Sequence, residues 1–158
     1  MSEKKKLAQT FMEQIATGKV APPELIVTLG LSLVSCTEGE AVFSLTTDPA
    51  RHGNLMGTLH GGVVATLADS AMGFAFASTL AADESFATLE MKVNFLRPVW
   101  RSILSATGKV IHRGRTTGLV ECHVTDERGK LIAHATSTCL VLSGAQAEGR
   151  ALGDYTGG

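Results

Sequence analysis

The sequence predicts an α+β fold in which an antiparallel sheet of five to six strands curls round one long central helix. Three observations predict it. The stretch from Gly61 to about Leu80 lacks proline, is rich in alanine and is apolar on nearly every side, through Val63, Val64, Leu67, Ala68, Ala71, Met72, Phe74 and Phe76. That is the composition of a helix wrapped by other structure. Downstream, Leu89, Met91, Val93 and Phe95 alternate with Thr88, Glu90, Lys92 and Asn94, the two-residue period of a half-buried strand. Three further strand-like stretches then follow through short polar turns, as in a meander.

The elements follow in order. From Lys4 to about Thr17, Leu7, Ala8, Phe11, Met12 and Ile15 recur three and four apart, the pattern of a short amphipathic helix that Gly18 and Pro22-Pro23 end. A strand pair is expected at about Leu29 to Glu38 and Glu40 to Thr46, joined by a tight turn at Glu38-Gly39-Glu40. Pro49, Gly53, Asn54 and Gly57 mark Asp48 to Gly57 as a loop. After the central helix, a loop near Ala82 to Ser85 leads to the alternating strand, which Pro98 ends. The last three strands lie near Ile103 to His112, Thr117 to Asp126 and Leu131 to Leu142, separated by Arg113-Gly114-Arg115 and Asp126-Glu127-Arg128-Gly129. Residues 1–28 thus form an N-terminal helix and connection, 29–142 the folded domain, and 143–158 a glycine- and alanine-rich tail expected to be flexible.

At 158 residues the chain fits one domain. Its 14 basic and 15 acidic residues leave a formal charge of −1, so no global field draws it to nucleic acid or an anionic membrane. Asp69 and interspersed small and polar residues argue against a membrane span at Gly61 to Ala82. The lysines at the N-terminus precede no signal-peptide core. Cys36, Cys122 and Cys139 are an odd number, far apart and outside any CxxC pair, so they read as free thiols of a reducing compartment, and the expected location is the cytoplasm.

The informative residue is Asp69, a carboxylate in the middle of the most apolar helix. An Asp there needs hydrogen-bond partners, a raised pKa or water access, which is also the setting of a general base or nucleophile; a carboxylate bonding Ser70 or Thr66 is the structural alternative. Asn54, Gly57, His60, Gly61 and Gly62 cluster before and at the start of the helix, where free N–H groups and the dipole suit a developing oxyanion. Gly61 lets a carbonyl approach the backbone, Asn54 can donate an amide to the same oxygen, and His60 reads as the organiser of the loop rather than a proton carrier.

The stretch NLMGTLHGGVVATLAD, Asn54 to Asp69, resembles the active-site segment of the PaaI-like hot-dog-fold acyl-CoA thioesterases (phenylacetate-pathway and acyl-CoA thioesterase 13-type). The pattern is an Asn, a Gly, HGG, and an Asp on the central helix seven residues past the second Gly; the likeness extends from about residue 46 to 142, through FLRP and RGRTTG. It implies a hot-dog fold and hydrolysis of acyl-CoA, aryl-acyl or medium to long fatty acyl, with no cofactor beyond the coenzyme A of the substrate. Asp69 would be nucleophile or general base, the Gly61 N–H would polarise the thioester carbonyl, Asn54 would hold the thioester, and Thr88 would stand near the hydrolytic water. Gly62, Glu90 and Phe95 join the substrate-contacting set. The turn of Arg113, Gly114 and Arg115, with His112, Thr116 and Thr117, would meet the nucleotide of coenzyme A, where guanidinium forks suit phosphate. Taken alone, that turn reads as an ordinary solvated hairpin. The resemblance also implies a homodimer assembling into a homotetramer, with Asp69 facing Asn54 and Gly61 of its partner; pairing two sheets at an edge hides that edge.

The equal spacing of His112, His123 and His134 invites a metal reading. A simple hairpin register would set residue 122 opposite 134 and His123 on the other face, so no metal site is expected. An enoyl-CoA hydratase of the same fold would carry His five residues after the Asp, where Phe74 stands, and no nucleophilic-serine elbow is visible. A non-catalytic acyl-CoA-binding module is the remaining rival, which the intact Asn54, Gly61 and Asp69 oppose.

Overall fold

The computed structural model describes residues 12–150. Residues 12–16 are helical, with Met12 and Ile15 buried; the rest of the expected N-terminal helix, and residues 151–158 of the tail, lie outside the described residues. The elements are α1 (Glu24–Leu29), β1 (Leu31–Thr37), β2 (Glu40–Thr46), α2 (Pro49–His52), α3 (Gly61–Ala77), β3 (Glu84–Phe95), β4 (Ile103–Arg113), β5 (Thr117–Thr125) and β6 (Leu131–Ser143). A 3-10 turn at Gly144–Gln146 follows, and Ser85 Oγ donates to the Arg150 carbonyl at 2.7 Å, so the expected tail begins with ordered backbone.

The six strands make one antiparallel sheet in the order β1-β2-β4-β5-β6-β3. Helix α3 lies on its concave face, the hot-dog arrangement that the sequence predicts. Alternation decides which residues face it: Phe43 and Leu45, Leu104 and Ala106, Val120, Cys122 and Val124, and Ala133 and Ala135 are all essentially inaccessible. The helix meets them with Leu67, Ala68, Ala71, Met72, Ala75 and Phe76, spaced three and four apart. Alanines on that stripe let the helix backbone come close to the strands.

Three expectations are corrected. Helix α1, capped by Gly30 with φ 71° and burying Ile26, takes up Leu29, so the first strand begins at Leu31 rather than at about Leu29. Short α2 interrupts the loop from Asp48 to Gly57, because the Asp48 carboxylate accepts the Ala50 N–H at 3.1 Å ahead of Pro49 in the first turn. Helix α3 is not wrapped all round: Gly62 and Asp69 are exposed and Val63, Thr66, Ser70 and Gly73 only half-buried, since one sheet reaches round only one side of the helix.

Bulges curve the sheet and set its register. Leu89 is an extra residue in β3, so Thr88 pairs with Cys139 and Glu90 with Thr138. Ile132 is an extra residue in β6: Thr125 pairs with Leu131, but Val124 then pairs with Ala133 and His123 with His134. This corrects the expectation that His123 and His134 lie on different faces. The simple hairpin register holds only until the bulge.

Candidate active site

Helix α3 starts at Gly61 because His60, in extended conformation, caps it. His60 Nδ1 accepts the Gly62 N–H at 2.8 Å, and the His60 carbonyl accepts the N–H of Val63 at 3.0 Å. The Gly62 N–H, expected among substrate contacts, is therefore held by His60. Among the described residues nothing accepts the Gly61 N–H, which leaves it as the free donor at the positive end of a 17-residue helix.

The loop ahead of it is fixed by a residue that sequence reasoning missed. His52 is 3% exposed; its Nδ1 accepts the Asp48 N–H at 3.1 Å, so Nε2 carries the proton and donates to the Leu29 carbonyl at 3.0 Å. The His52 carbonyl accepts the His60 N–H at 2.8 Å. A polar residue after Pro49 was visible in the sequence, but its partner Leu29 is distant along the chain.

Asn54 organises the following turn. Its Oδ1 accepts the N–H of Met56 at 2.9 Å and of Thr58 at 3.2 Å, while its Nδ2 donates to Thr58 Oγ1 at 2.8 Å. One amide hydrogen remains for a ligand. Asn54, Gly61 and Phe95 line one cleft of about 330 Å³, and the Phe95 ring packs so closely on Gly61 that a Cβ there would stand 3.1 Å from it.

Asp69 stands eight residues after Gly61, hence about 12 Å along the helix. It is open to solvent in the single chain, yet apolar surroundings push its carboxyl above the ordinary value. The Leu89 bulge brings Thr88 into phase with the concave face opposite buried Cys139, whose thiol lies close enough to Asp69 to feel its charge. Strict alternation through Met91 and Val93 would have turned Thr88 away. Glu90 instead accepts a hydrogen bond from Thr138 Oγ1 at 2.7 Å, on the outer face.

The turn after β4 lies at the other end of α3. Gly118 packs against Phe76, and the Arg113 guanidinium sits 5.4 Å from the centre of the Phe76 ring. Arg113 pairs with Glu84 at 2.8 Å and donates to the Gly114 carbonyl, so it is tied into the fold rather than presented to a phosphate. Arg115, Thr116, Thr117 and His112 are exposed beside it, and Gly114 donates its N–H to the Thr117 carbonyl. One chain thus places Asn54, Gly61 and Phe95 at the start of the helix, Asp69 at its middle and the Arg113–Thr117 turn near its far end.

A carboxylate on the central helix and a free N–H at its start are the parts of an acyl-transfer site. The thioesterase superfamily model matches residues 56–133. The chain is 34% identical to 1,4-dihydroxy-2-naphthoyl-CoA hydrolase of Listeria monocytogenes, over 72% of this chain and 92% of that protein. It is 36% identical to the acyl-coenzyme A thioesterase PaaI of Escherichia coli, over 66% and 73% of the two. The solved structure of E. coli PaaI, from the phenylacetic acid degradation operon, superposes with a TM-score of 0.76 at 25% identity, over 87% and 97%. The chain belongs to the thioesterase superfamily, in its PaaI-like hot-dog branch. Its chemistry is thioester hydrolysis.

Proposed function

We infer that the chain hydrolyses acyl-CoA thioesters of aryl or medium to long fatty acids, within a site shared between two copies. The observation that carries this is the pairing of a free Gly61 N–H with the Asp69 carboxylate on one helix, about 12 Å apart. A reacting carbonyl needs its oxyanion donor and its carboxylate each within about 3 Å. One chain cannot supply both, whereas a partner related by a twofold axis can set its own Gly61 and Asn54 opposite Asp69.

The edge strand supports the same reading. Among the described residues β3 pairs only with β6; it runs 12 residues and presents Leu89 and Phe95 more than half exposed, as are Leu96 and the loop residues Leu55 and Met56. Burying such an edge against a second copy removes unpaired backbone groups and apolar surface together. Two such dimers would make the tetramer that the family resemblance implies.

The thioester carbonyl lies on the Gly61 N–H of one subunit. Asp69 of the other attacks the carbonyl carbon, or takes a proton from a water that does so, with Thr88 beside that water. The C–S bond then breaks and coenzyme A leaves as a thiolate, which needs little protonation because thiols are acidic; where Asp69 is the nucleophile, water then hydrolyses the mixed anhydride, releasing the free acid and restoring the carboxylate. The reaction uses water and the carboxylate alone, with no cofactor beyond the substrate's own coenzyme A. Arg115, Thr116 and Thr117 are the exposed groups for its nucleotide phosphates. The names of the relatives, a naphthoyl-CoA hydrolase and an acyl-CoA thioesterase, support coenzyme A as the carrier. Phe74, where a hydratase would carry His, packs edge-on against Phe43 at 4.9 Å, which favours hydrolysis. Three free cysteines suit a cytoplasmic setting, and among the described residues no helix is long and apolar enough to cross a membrane.

The test is free-thiol release from a panel of aryl and fatty acyl-CoAs. Wild type should turn over at least one of them, and Asp69→Asn should lower kcat by about 10²–10⁴-fold. Absence of turnover on every thioester, or an unimpaired Asp69→Asn, overturns the reading.

A further inference from the structure

The outer face of the sheet, turned away from α3, carries a cluster that the thioesterase chemistry does not use. His123 on β5 lies directly opposite His134 on β6, and Glu121 stands two residues earlier on the same face. The two imidazole centres are 4.9 Å apart, and His134 Nε2 is 3.7 Å from Glu121 Oε2. One donor atom from each of the three lies within 4.8 Å of the others. The intervening residues Cys122 and Val124 point into the core and are fully buried, so the cluster and the helix stand on opposite sides of the sheet.

The geometry points to a binding site for a divalent late transition ion, such as Zn²⁺, Ni²⁺ or Co²⁺, held by Glu121, His123 and His134 with water completing the shell. The donor set decides the class. Two ring nitrogens and one carboxylate oxygen suit these ions, whereas Mg²⁺ and Ca²⁺ take oxygen-rich shells. Ligands at about 2.0–2.1 Å from a tetrahedral ion stand about 3.3 Å from one another. The Glu121–His134 pair is within a few tenths of an ångström of that spacing, and rotation of the exposed His123 side chain closes the third side.

The backbone supporting these ligands is fixed. β5 is flanked by β4 and β6, and β6 by β5 and β3, so both strands are held on both edges. The Ile132 bulge is what aligns the two histidines, since without it they would face opposite sides of the sheet. Lys109 faces Glu121 from β4, yet the Glu121 carboxylate is turned toward His134 instead. Bound there, the ion cross-links two neighbouring strands without touching Asp69.

The test is a zinc titration of the full chain in competition with a chromophoric chelator. One equivalent should bind per chain. His123→Gln and His134→Gln should each weaken binding by more than the roughly tenfold that loss of an outer-shell partner costs, and His112→Gln should leave it unchanged. Zinc should also raise the Tm of wild type and not that of the His123→Gln/His134→Gln double variant. Cobalt substitution should give ligand-field bands without thiolate charge transfer. Absence of saturable binding, undiminished binding by the double variant, or a thiolate band overturns the site.

Discussion

Gly108 of β4 lies against Ala71 of α3 so closely that a Cβ on it would stand 2.4 Å from the Ala71 carbonyl carbon and oxygen. The helix that carries Asp69 is thereby seated on the sheet at a point where only hydrogen fits, two residues from Asp69. Gly108→Ala is expected to destabilise the fold by about 3 kcal/mol, because backbone on both sides resists the overpacking. Urea denaturation measures it; a change under about 0.5 kcal/mol would mean that the contact relaxes freely.

Gly61 is the first helical residue, where proline is tolerated, and His60 before it already has ψ 132°. Gly61→Pro therefore removes the free N–H while keeping the helix but adds a Cβ 3.1 Å from the Phe95 ring. Gly61→Ala, which adds the Cβ alone, is the control, and kcat of Gly61→Pro should fall about 10²–10³-fold below it. Mixed with Asp69→Asn after joint refolding, Gly61→Pro should regain about a quarter of wild-type activity, since each hybrid dimer then holds one intact shared site. No regain on mixing would place both groups in one chain's site.

The Asp69 carboxyl is raised above 3.8 in the folded protein by desolvation. The folded state therefore favours the protonated form: the contribution is full below the unfolded value and is lost as pH rises through the folded one. Asp69→Asn should melt at a higher temperature than wild type at neutral pH, with the gap closing as pH falls below about 4. Thermal melts across pH check it; a lower Tm for the variant at neutral pH would show the carboxylate to be stabilised by the fold.

Arg113 is bound to Glu84 and stacked near Phe76, whereas Arg115 is exposed. Arg113→Ala is expected to cost about 2 kcal/mol of stability, from a lost charged hydrogen bond and lost packing, with little change in KM at a temperature where it is folded. Arg115→Ala should raise KM for acyl-CoA with little change in stability. Steady-state kinetics beside denaturation separates the two, and the opposite pattern would assign phosphate binding to Arg113.

Burial raises the thiols of Cys36 to about 11 and Cys122 to about 12, and that of Cys139 in the same direction. The native protein should react with thiol reagents far more slowly than the unfolded chain near neutral pH. Rapid labelling of a native cysteine would show that its strand opens.

Much of this was legible in the residues because it depends on neighbours a few positions away. His60-Gly61-Gly62 marks the start of α3, the two-residue period marks the strands, and β2 runs over the expected Glu40–Thr46. An Asp in the middle of an apolar helix marks a candidate site wherever the helix packs. What depends on distant partners was not legible. The extra residues Leu89 and Ile132 fit an alternating pattern as well as any other, yet they decide that Thr88 faces the helix and that His123 meets His134. The open side of α3, the commitment of Arg113 to Glu84 and the tie from His52 to Leu29 arise only when the sheet closes on the helix. Sequence determined which conformations and reactive groups the chain carries, because those follow from local sterics and chemistry. Tertiary structure alone decided which of those groups meet, because register and burial depend on how distant segments pack.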